Sequence, residues 1–504
     1  MHWLQHLHVL VLGLGDSGLA MARWCARHGA QVTVWDSRES PPHAEALARE
    51  LPTARFARDL PSASVFQLVL KSPGLAPDDA RVAPVLTEAA DTGIAVLGEL
   101  GLFARALADL KQAQGYAPQV LAITGTNGKT TTTAMTALLV ERAGRSVAMA
   151  GNVGPTMLDT LTARLDELPQ VWVLELSSFQ LDRVRGFEPS AAVVLNITQD
   201  HLDWHGTMAA YVAAKARVYD GGGVMVINSD DAAVVALEPQ PIPGKGKAKP
   251  VPMTRAVVRF SLDAPQRPGD FGLVTENGMA WLVRALPADE TVKRKKDEGE
   301  EIHLQRLMPA DALRVRGRHN AANALAALAL ATAIGCALAP MLHGLRDYAG
   351  ESHRVEPVGR VGAVEAFDDS KGTNVGATVA ALNGLGADKA PGRLVVILGG
   401  DGKGQDFTLL REPLSRHARA IATIGRDAAT IEAALLGGIG AVPLKRHDSL
   451  QAAVAWCFEQ AEAGDAVLLS PACASLDMFR NYAHRAEVFV QAVQALAAEQ
   501  GEVV

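Results

Sequence analysis

Short apolar runs alternate with stretches rich in alanine and leucine along most of the chain. This alternation predicts strands separated by helices, because a buried strand needs only a short apolar run. Strands that are connected by helices form parallel sheets, so the pattern predicts the α/β fold class. The predicted strands are His8–Leu12, Gln31–Val34, Val65–Lys71, Val120–Thr124, Val171–Leu176, Ala191–Ile197, Val224–Asn228, Leu394–Leu398, Ala420–Ile424 and Ala466–Ser470.

The length of 504 residues is enough for three such units. We expect domains over residues 1–106, 107–350 and 351–504. From about residue 240 to 307 the alternation gives way to proline, glycine and charge, which predicts a polar insertion in the central domain. Its run Lys293–Glu298 mixes basic with acidic side chains and therefore indicates a solvated surface rather than a nucleic-acid site.

Composition narrows the class of protein. Hydrophobic residues make up 48% of the chain and charged residues 20%, as in proteins with several buried cores. The formal net charge of −7 gives no support to a nucleic-acid or membrane-surface partner. The 4 cysteines are widely spaced, which favours a reducing compartment over disulfides or a zinc site. No apolar run reaches transmembrane length, so we expect a cytoplasmic protein without membrane insertion.

A glycine-rich turn follows the first predicted strand. Gly13-Leu14-Gly15-Asp16-Ser17-Gly18 matches the fingerprint of dinucleotide-binding folds, and Asp36 ends the second strand, where a ribose-binding acid would lie. Such a turn brings the backbone N–H groups of a helix N-terminus close to a diphosphate. It indicates a diphosphate on a ribose, so both NAD and a UDP-sugar remain open, as does a tight turn without a ligand.

A second phosphate-binding turn joins the strand Val120–Thr124 to a helix rich in threonine. In Gly125-Thr126-Asn127-Gly128-Lys129-Thr130 the glycines leave room for phosphate oxygens, Lys129 would reach the β- and γ-phosphates, and Thr130 would reach Mg²⁺. The spacing departs from the full Walker pattern, whose first glycine would fall at Ile123. The alternative is a glycine turn with a surface lysine. We predict an ATP-binding loop.

Acidic and histidine side chains follow the next two predicted strands. Glu175 ends one strand, and His201 follows the other in the segment Asp200-His201-Leu202-Asp203. Because the carboxyl ends of parallel strands meet at one edge of a sheet, we expect both side chains near the phosphate loop as Mg²⁺ ligands. Taken alone, Glu175 would be a surface acid, His201 a structural histidine and Lys215 a solvated helix lysine.

Six motifs, which follow one another along the chain, together resemble those of a known protein family. They are Gly125–Thr130, Leu174–Gln180, Asp200–Asp203, Asp369-Ser370-Lys371-Gly372-Thr373-Asn374, Leu398–Gly404 and Ser470–Asp477. Together they resemble the Mur ligases of peptidoglycan synthesis, over nearly the whole chain except residues 240–307. The resemblance implies a Rossmann-like N-terminal domain, a central P-loop-type ATPase domain with a mainly parallel sheet, and a C-terminal Rossmann-like domain.

The resemblance also implies a ligand for each domain: a UDP-substrate for the first, ATP for the second and an amino acid for the third. The implied UDP-substrate-binding residues are Gly15, Asp16, Ser17, Asp36, Ser37, Arg38, Ser72, Pro73, Gly74, Asn152, Ser178 and Gln180. The implied ATP-binding residues are Gly125, Thr126, Asn127, Gly128, Lys129, Thr130, Thr131, Asn152, Asn320, Asn323, Arg354 and Asp369. The implied D-glutamate-binding residues are His201, Lys371, Thr373, Lys403, Ser475 and Tyr482.

A metal site and a modified lysine follow from the same resemblance. The implied ligands, for two Mg²⁺ sites, are Thr130, Glu175, His201 and Lys215, the last as a carbamate formed with CO₂. Only the neutral amine reacts with CO₂, and an ordinary lysine has a pKa of about 10.4, so the site must favour the neutral form. The implied catalytic residues are Lys129, Glu175, His201, Lys215, Lys371 and Lys403.

The implied reaction is an ATP-dependent ligation of D-glutamate to UDP-N-acetylmuramoyl-L-alanine. ATP would convert the alanyl carboxylate to an acyl phosphate, which the glutamate amine would attack. The implied partners are these small molecules, with no nucleic acid and with the protein as a monomer. The alternatives are an NAD-dependent oxidoreductase, a sibling ligase that adds a diamino acid or extends folate, and a non-catalytic nucleotide sensor.

Overall fold

A computed structural model describes residues 2–239, 255–288, 301–315 and 317–501. Within these residues the chain forms three sheets, of 5, 9 and 6 strands, connected mainly through helices. Most strand pairs are parallel, which confirms the predicted α/β class. None of the described helices is both long and apolar enough to cross a membrane.

The first sheet is parallel and has the strand order β3-β2-β1-β4-β5. Its strands are β1 (His8–Leu12), β2 (Gln31–Trp35), β3 (Arg55–Ala57), β4 (Leu68–Lys71) and β5 (Ala95–Leu97). The helices are α1 (Asp16–Arg27), α2 (Ala44–Glu50), α3 (Ala83–Asp91) and α4 (Glu99–Gln114). The strand order reverses between β1 and β4, and ligands of such sheets bind at this crevice, beyond the carboxyl ends of the strands.

The second sheet has the order β14-β13-β12-β11-β10-β9-β6-β8-β7. Its strands are β6 (Gln119–Thr124), β7 (Val147–Gly151), β8 (Val171–Glu175), β9 (Ala191–Val194), β10 (Val224–Asn228), β11 (Val257–Phe260), β12 (Phe271–Glu276), β13 (Met279–Pro287) and β14 (Ile302–Pro309). The helices are α5 (Lys129–Arg142), α6 (Met157–Ala163), α7 (Ser178–Leu181), α8 (Leu202–His205), α9 (Met208–Ala216), α10 (Ala232–Val235), α11 (Arg318–Ala333) and α12 (Leu338–Asp347). Strand β6 lies between β8 and β9, so the phosphate loop, Glu175 and the His201 segment leave adjacent strands.

The segment predicted as a polar insertion, residues 240–307, forms strands in its described parts. Strand β11 continues the sheet in parallel, and β12, β13 and β14 extend it as an antiparallel meander. An antiparallel edge carries polar side chains at alternate positions, and this composition concealed the strands. The guanidinium groups of Arg284 and Arg306 lie over the rings of Phe271 and Trp281 at 5.5 and 5.7 Å. The run Lys293–Glu298 lies outside the described residues.

The third sheet has the order β15-β16-β20-β17-β18-β19, with only β15 antiparallel to its neighbour. Its strands are β15 (Glu356–Val361), β16 (Val364–Asp368), β17 (Leu394–Gly399), β18 (Ala418–Ile424), β19 (Leu444–Arg446) and β20 (Ala466–Leu469). The helices are α13 (Val375–Lys389), α14 (Arg411–His417), α15 (Ala428–Leu435), α16 (Leu450–Gln460) and α17 (Tyr482–Glu499).

Some predicted boundaries differ from the structure. Strand β4 begins at Leu68 because Ala63–Val65 form a 3₁₀ turn, in which the Ser62 side chain accepts from the backbone of Ser64. Strand β9 ends at Val194, because the chain turns so that the Asn196 side chain bonds the phosphate loop. The domain boundary predicted after residue 106 falls inside α4, and the one after residue 350 falls between α12 and β15. Both domain boundaries remain predictions.

The first and second sheets share one hydrophobic core. A continuous cluster of buried side chains includes Val9 and Trp24 from the first sheet region and Trp172 and Tyr211 from the second. Trp172 meets Phe103 of α4 edge to face, with ring centroids 5.0 Å apart. The buried clusters of the third sheet contain only residues from that region. The first two sheets are therefore joined by apolar packing that the third does not share.

Gly151 ends strand β7 at a point where a side chain has no room. Its φ is 126°, and a Cβ atom would lie 2.1 Å from the carbonyl oxygen of Glu175. We expect Gly151→Ala to reduce the free energy of unfolding by about 2 to 4 kcal/mol, because β7 and β8 would have to separate. The midpoint of urea unfolding measures this, with Gly222→Ala as the control, since a Cβ there meets no atom within 4 Å. Equal midpoints for the two variants would contradict the expectation.

Candidate active site

The phosphate loop lies between the end of β6 and the start of α5. Gly128 has a φ of 81°, and a Cβ atom there would lie 2.6 Å from Oδ1 of Asn323. Asn196 holds the loop from the β9 side, because its Oδ1 accepts from the N–H of Asn127 at 2.8 Å and its Nδ2 donates to the Asn127 carbonyl at 3.1 Å. The loop is thus hydrogen-bonded to the turn after β9 and packs closely against α11.

The side chain of Lys129 folds back onto this loop. Its Nζ donates to the carbonyl oxygens of Gly125 at 2.9 Å and Thr126 at 2.8 Å. Burial lowers the pKa of Lys129, and the nearby charge of Arg354 lowers it further, while Glu175 and Asp200 oppose this. The ammonium therefore lies where an anion on the loop would offer it a stronger partner than two carbonyl groups.

Glu175 brings an unsatisfied carboxylate oxygen to the same edge of the sheet. The residue is 2% exposed, and its Oε1 accepts from Nδ2 of Asn152 at 3.0 Å. Its Oε2 is buried without a hydrogen-bond partner. A buried carboxylate oxygen without a partner is costly, and a cation would satisfy it. This orphaned atom fits the predicted role of Glu175 as a Mg²⁺ ligand.

His201 adopts an unusual backbone conformation beside the loop. Its φ is 54°, in the left-handed region, and its ring lies 4.6 Å from the ring of Phe179. Burial lowers the pKa of His201 to about 4; Lys403, Lys129 and Lys215 lower it further, while Asp200 raises it. The imidazole is therefore neutral at neutral pH, which is the form that ligates metals.

Lys215 is buried beneath the phosphate loop. The residue is 2% exposed, and its Nζ donates to the carbonyl oxygen of Gly125 at 2.8 Å. It also lies 4.7 Å from the centre of the Tyr211 ring. Burial and the charge of Lys129 hold its pKa well below the ordinary value for lysine. The neutral amine, which is the form that carbamate formation requires, is therefore more accessible than in an ordinary lysine.

The predicted ligands Thr130, Glu175, His201 and Lys215 leave the ends of neighbouring elements, and their donor chemistry fits Mg²⁺ in part. Carboxylate and hydroxyl oxygens suit this hard cation. A lysine amine does not, whereas a carbamate on Lys215 would add two anionic oxygens. The set fits the metal best when Lys215 is modified.

The third sheet region contacts the phosphate loop directly. Nη2 of Arg354 donates to the hydroxyl of Thr130 at 2.9 Å, and its Nε is buried without a partner. Nδ2 of Asn374 donates to Oδ1 of Asn127 at 3.0 Å. Asn374 is not among the predicted site residues, although it ends the motif Asp369–Asn374. In the sequence, only its position next to the other polar residues of this motif indicates a role at the site.

A cavity of about 670 Å³ lies between α11 and the third sheet. Its lining includes Asn320 and Arg354. Asn323 instead lies against the phosphate loop and donates to Oδ1 of Asn320 at 3.2 Å. The two asparagines therefore face different parts of the predicted nucleotide site.

The predicted nucleotide-site residue Asp369 is buried, and its Oδ2 accepts from the Ser470 hydroxyl at 2.6 Å. Burial raises the pKa of Asp369 to about 7.

A second cleft, of about 420 Å³, separates the first sheet from the loop after β7. Its lining includes Asp16, Ser17, Pro73, Asn152 and Gln180, all of them predicted UDP-substrate residues. It also includes His43, Arg23 and Arg49, which no sequence motif singles out. Nε2 of His43 lies 2.6 Å from Oδ1 of Asp16. The cleft begins where the N-terminus of α1 is open, because a Cβ on Gly15 would meet no atom within 4 Å.

Other predicted UDP-substrate residues are engaged with the protein itself. Asp36 accepts from the N–H of Leu14 at 2.6 Å and from the guanidinium of Arg38 at 2.7 Å. Burial raises its pKa, but these hydrogen bonds outweigh the burial and the pKa lies below its usual value. The hydroxyl of Ser72 donates to the carbonyl of Gly13 at 3.0 Å. Asp36 and Ser72 thus brace the glycine turn from opposite sides.

The remaining predicted residues of this group lie nearby. The Ser37 hydroxyl accepts from Arg81 at 3.1 Å, and Ser178 lies 2.9 Å from Nε2 of His205. Gln180 closes a capping box with Ser177 at the start of α7. A Cβ atom on Gly74 would meet no atom within 4 Å, which leaves the room that the predicted contact with a ligand requires.

Four of the predicted D-glutamate residues, Lys371, Thr373, Lys403 and Ser475, lie on loops of the third sheet, whereas Tyr482 begins α17 and His201 follows β9. Nζ of Lys371 lies 5.1 Å from the centre of the Tyr482 ring. Burial lowers the pKa of Lys371, and the charge of Arg354 lowers it further. Arg354 also contacts Thr130 of the phosphate loop. The backbone N–H of Thr373 donates to the backbone carbonyl oxygen of Lys371 at 2.9 Å. Lys403 has a left-handed φ of 49° and Ser475 is buried.

The three sheets, the two glycine turns after β1 and β6 and the convergent charged side chains are typical of a multidomain nucleotide-binding α/β enzyme. Models of the Mur ligase MurD-like N-terminal domain, the Mur ligase middle domain and the Mur ligase glutamate ligase domain match residues 7–98, 123–243 and 353–473. The chain belongs to the Mur ligase family.

Relatives span the full chain. A UDP-N-acetylmuramoylalanine–D-glutamate ligase of Albidiferax ferrireducens is 62% identical over 508 residues, covering 99% of this chain and 98% of that protein. One of Burkholderia mallei is 55% identical over 513 residues, with coverages of 99% and 98%. The structure of MurF ligase from Thermotoga maritima in complex with ADP has a TM-score of 0.58, at 15% identity, and covers 99% of this chain and 100% of its own. That structural similarity establishes the fold.

Proposed function

We propose that this chain is an ATP-dependent acid–D-amino-acid ligase that adds D-glutamate to UDP-N-acetylmuramoyl-L-alanine in peptidoglycan precursor synthesis. The observation that carries the proposal is the meeting of all three sheet regions around the phosphate loop. Arg354 and Asn374 reach this loop from the third region. The cleft beside Ser17 in the first region is also lined by Asn152, which donates to Glu175 at the same edge of the sheet. Full-length relatives that bear this ligase name support the choice of substrates.

The first step activates the acceptor. The alanyl carboxylate attacks the γ-phosphorus of ATP, the bond to the bridging oxygen breaks, and an acyl phosphate and ADP form. Charge builds up on the transferring phosphoryl group, and Lys129 and Arg354 are the cations at the loop that stabilise it. The unpartnered Nε of Arg354 leaves a donor available for a phosphate oxygen.

Mg²⁺, when bound, neutralises charge on the phosphates, and we assign Thr130, Glu175, His201 and carbamylated Lys215 as its ligands, for two ions. The unpartnered Oε2 of Glu175 and the neutral imidazole of His201 support this assignment. The depressed pKa of Lys215 supports the carbamate, since an uncharged amine attacks CO₂ and loses a proton to form it.

The second step forms the amide. The neutral amine of D-glutamate attacks the acyl carbon, and the C–O bond to phosphate breaks in the tetrahedral intermediate. The nitrogen loses one proton, which leaves with the phosphate as hydrogen phosphate. We assign Lys371 and Lys403 to the two glutamate carboxylates, and Thr373, Ser475 and Tyr482 to the surrounding polar contacts. The proximity of Lys371 to Tyr482 and its electrostatic interaction with Arg354 support an amino-acid site that adjoins the phosphate loop.

We further propose that the enzyme acts as a cytoplasmic monomer. The described cysteines are all buried and unpaired, in agreement with a reducing compartment. ATP and UDP-linked precursors belong to the same compartment. A single copy of the chain brings together every proposed reactant site, so catalysis requires no second subunit.

Phosphate release with alternative amino acids tests the proposal. The protein is incubated with ATP, Mg²⁺ and UDP-N-acetylmuramoyl-L-alanine, and then with D-glutamate, L-glutamate or a diamino acid. We expect phosphate release with D-glutamate alone, together with a product of matching mass. Release with only the diamino acid would contradict the proposal, and so would release without the UDP-substrate.

A further inference from the structure

Glu99 is a buried carboxyl group at the junction of the first two sheet regions. It is the first residue of α4 and is 2% exposed. Its Oε2 accepts from the hydroxyl of Ser17 on α1 at 2.7 Å, and its Oε1 accepts from the N–H of Leu158 on α6 at 3.1 Å. One side chain therefore connects the turn proposed to bind the diphosphate, the helix that links two regions, and the helix that follows Asn152.

The hydrogen-bond partners of Glu99 are uncharged, and burial raises its pKa to about 7. Asp159 of α6 raises this pKa slightly, and Asp159 is itself paired with Arg23 of α1 at 3.0 Å. The other charged groups around this junction are Asp16 with His43 on the side of α1, and Lys71, Asp182, Arg183 and Arg185, which line the opposite cleft together with Glu99. The carboxyl group can therefore gain or lose a proton near neutral pH.

We propose that Glu99 is a positioning residue that takes up one proton when the diphosphate of the UDP-substrate binds, and that this proton reverses the hydrogen bond between Glu99 and Ser17. The inference rests on the proposed function, because it requires a diphosphate at the start of α1. Ser17 lines the cleft there, and it follows the open turn at Gly15.

The chemistry of the two groups explains the reversal. An ionised carboxylate only accepts hydrogen bonds, so the hydroxyl proton of Ser17 is committed to Oε2 of Glu99. A protonated Glu99 donates from Oε2 to the Ser17 oxygen, which frees the Ser17 proton for a phosphate oxygen. The proton comes from solvent, and no covalent bond other than O–H changes.

Electrostatics give the direction of the coupling. The diphosphate is negative, so it disfavours an ionised Glu99 and raises the pKa of this group when bound. Below the free-state pKa of about 7, Glu99 is already protonated and affinity is independent of pH. Above it, the affinity of the wild-type protein falls by up to about tenfold per pH unit, because binding must then take up a proton.

Calorimetry of UDP-N-acetylmuramoyl-L-alanine binding tests this coupling. Titrations of the full-length protein in two buffers with different ionisation enthalpies measure the number of protons taken up. We expect uptake of about half a proton per site near pH 7 and nearly one proton at about pH 8. Glu45→Gln, which alters an exposed acid of the same region, should leave the uptake unchanged.

Glu99→Gln is the decisive variant. Its amide mimics the protonated acid, because Nε2 donates to Ser17 while Oε1 still accepts from Leu158. We expect no proton uptake, an affinity that is constant between about pH 6.5 and 8.5, and tighter binding than wild type at the upper end. Ser17→Ala should weaken binding about five- to tenfold at the lower pH, since it removes the donor itself. The KM for ATP should be unchanged in Glu99→Gln.

Several outcomes would overturn the inference. Wild-type binding without proton uptake would do so, and so would uptake that persists in Glu99→Gln, which would assign the proton to another group. A Glu99→Gln variant whose affinity still falls with pH would refute the mimicry of the protonated state. Absence of any binding by the wild-type protein would instead reject the proposed function, and this inference with it.

Discussion

Lys129→Ala is expected to reduce kcat by at least about a thousandfold, which corresponds to about 4 kcal/mol of lost transition-state stabilisation. The reason is the position of the ammonium. It lies within the phosphate loop, where it donates to the carbonyl oxygens of Gly125 and Thr126. Lys215 also donates to the Gly125 carbonyl, but from beneath the loop. A γ-phosphoryl group on this loop would draw the ammonium away from the carbonyl groups as charge develops.

Steady-state phosphate release under saturating substrates measures this effect. Lys111→Ala is the matched control, because Lys111 is an exposed lysine of α4 and should leave kcat unchanged. Far-UV circular dichroism checks that the variant is folded. A folded Lys129→Ala protein with wild-type turnover would refute the assignment of this loop to ATP.

Lys215→Arg is expected to lower kcat by at least about a hundredfold, or about 2.7 kcal/mol, although the substitution keeps the formal charge of lysine. Arginine remains protonated and cannot form a carbamate. The site is also fully enclosed, so the planar guanidinium would have to displace Tyr211 or the loop carbonyl that Lys215 contacts. A cation would then occupy the position that we assign to an anionic metal ligand.

The activity of Lys215→Arg and the NMR signal of the carbamate together separate a chemical role of Lys215 from a structural one. In ¹³C-bicarbonate, NMR of the wild-type protein should show a carbamate carbon that is absent from Lys215→Arg. Lys111→Arg serves as the control for the same exchange at an exposed position. A Lys215→Arg protein with normal activity, or a wild-type protein without the carbamate signal, would contradict the proposed modification.

The sequence predicted the sheet edge where the site lies, because strand ends are local features. Gly125–Lys129, Glu175 and His201 each follow a short apolar run, and parallel strands bring such positions to one edge. The observed order, with β6 between β8 and β9, agrees with that expectation. The side-chain assignments themselves remain predictions that the variants above test.

The site features that the sequence did not predict depend on contacts between segments that are distant along the chain. Asn374 reaches Asn127 across 247 positions, and no local pattern marks such a pair. Asp36 was predicted to bind a ribose, yet the structure shows its carboxylate bonded to Leu14 and Arg38, which depends on how β1 and β2 align. The strands β12 to β14 were missed because their exposed faces carry the charge that typifies loops.

The separate core of the third sheet has a consequence for turnover. Moving that region away from the phosphate loop breaks polar contacts, such as those of Arg354 with Thr130 and of Asn374 with Asn127, and water can replace each of them. Moving the first region would instead expose apolar surface around Trp172 and Phe103. ADP, phosphate and product should therefore leave through one opening, and inhibitors that bridge Arg354 and the loop would act by keeping it shut.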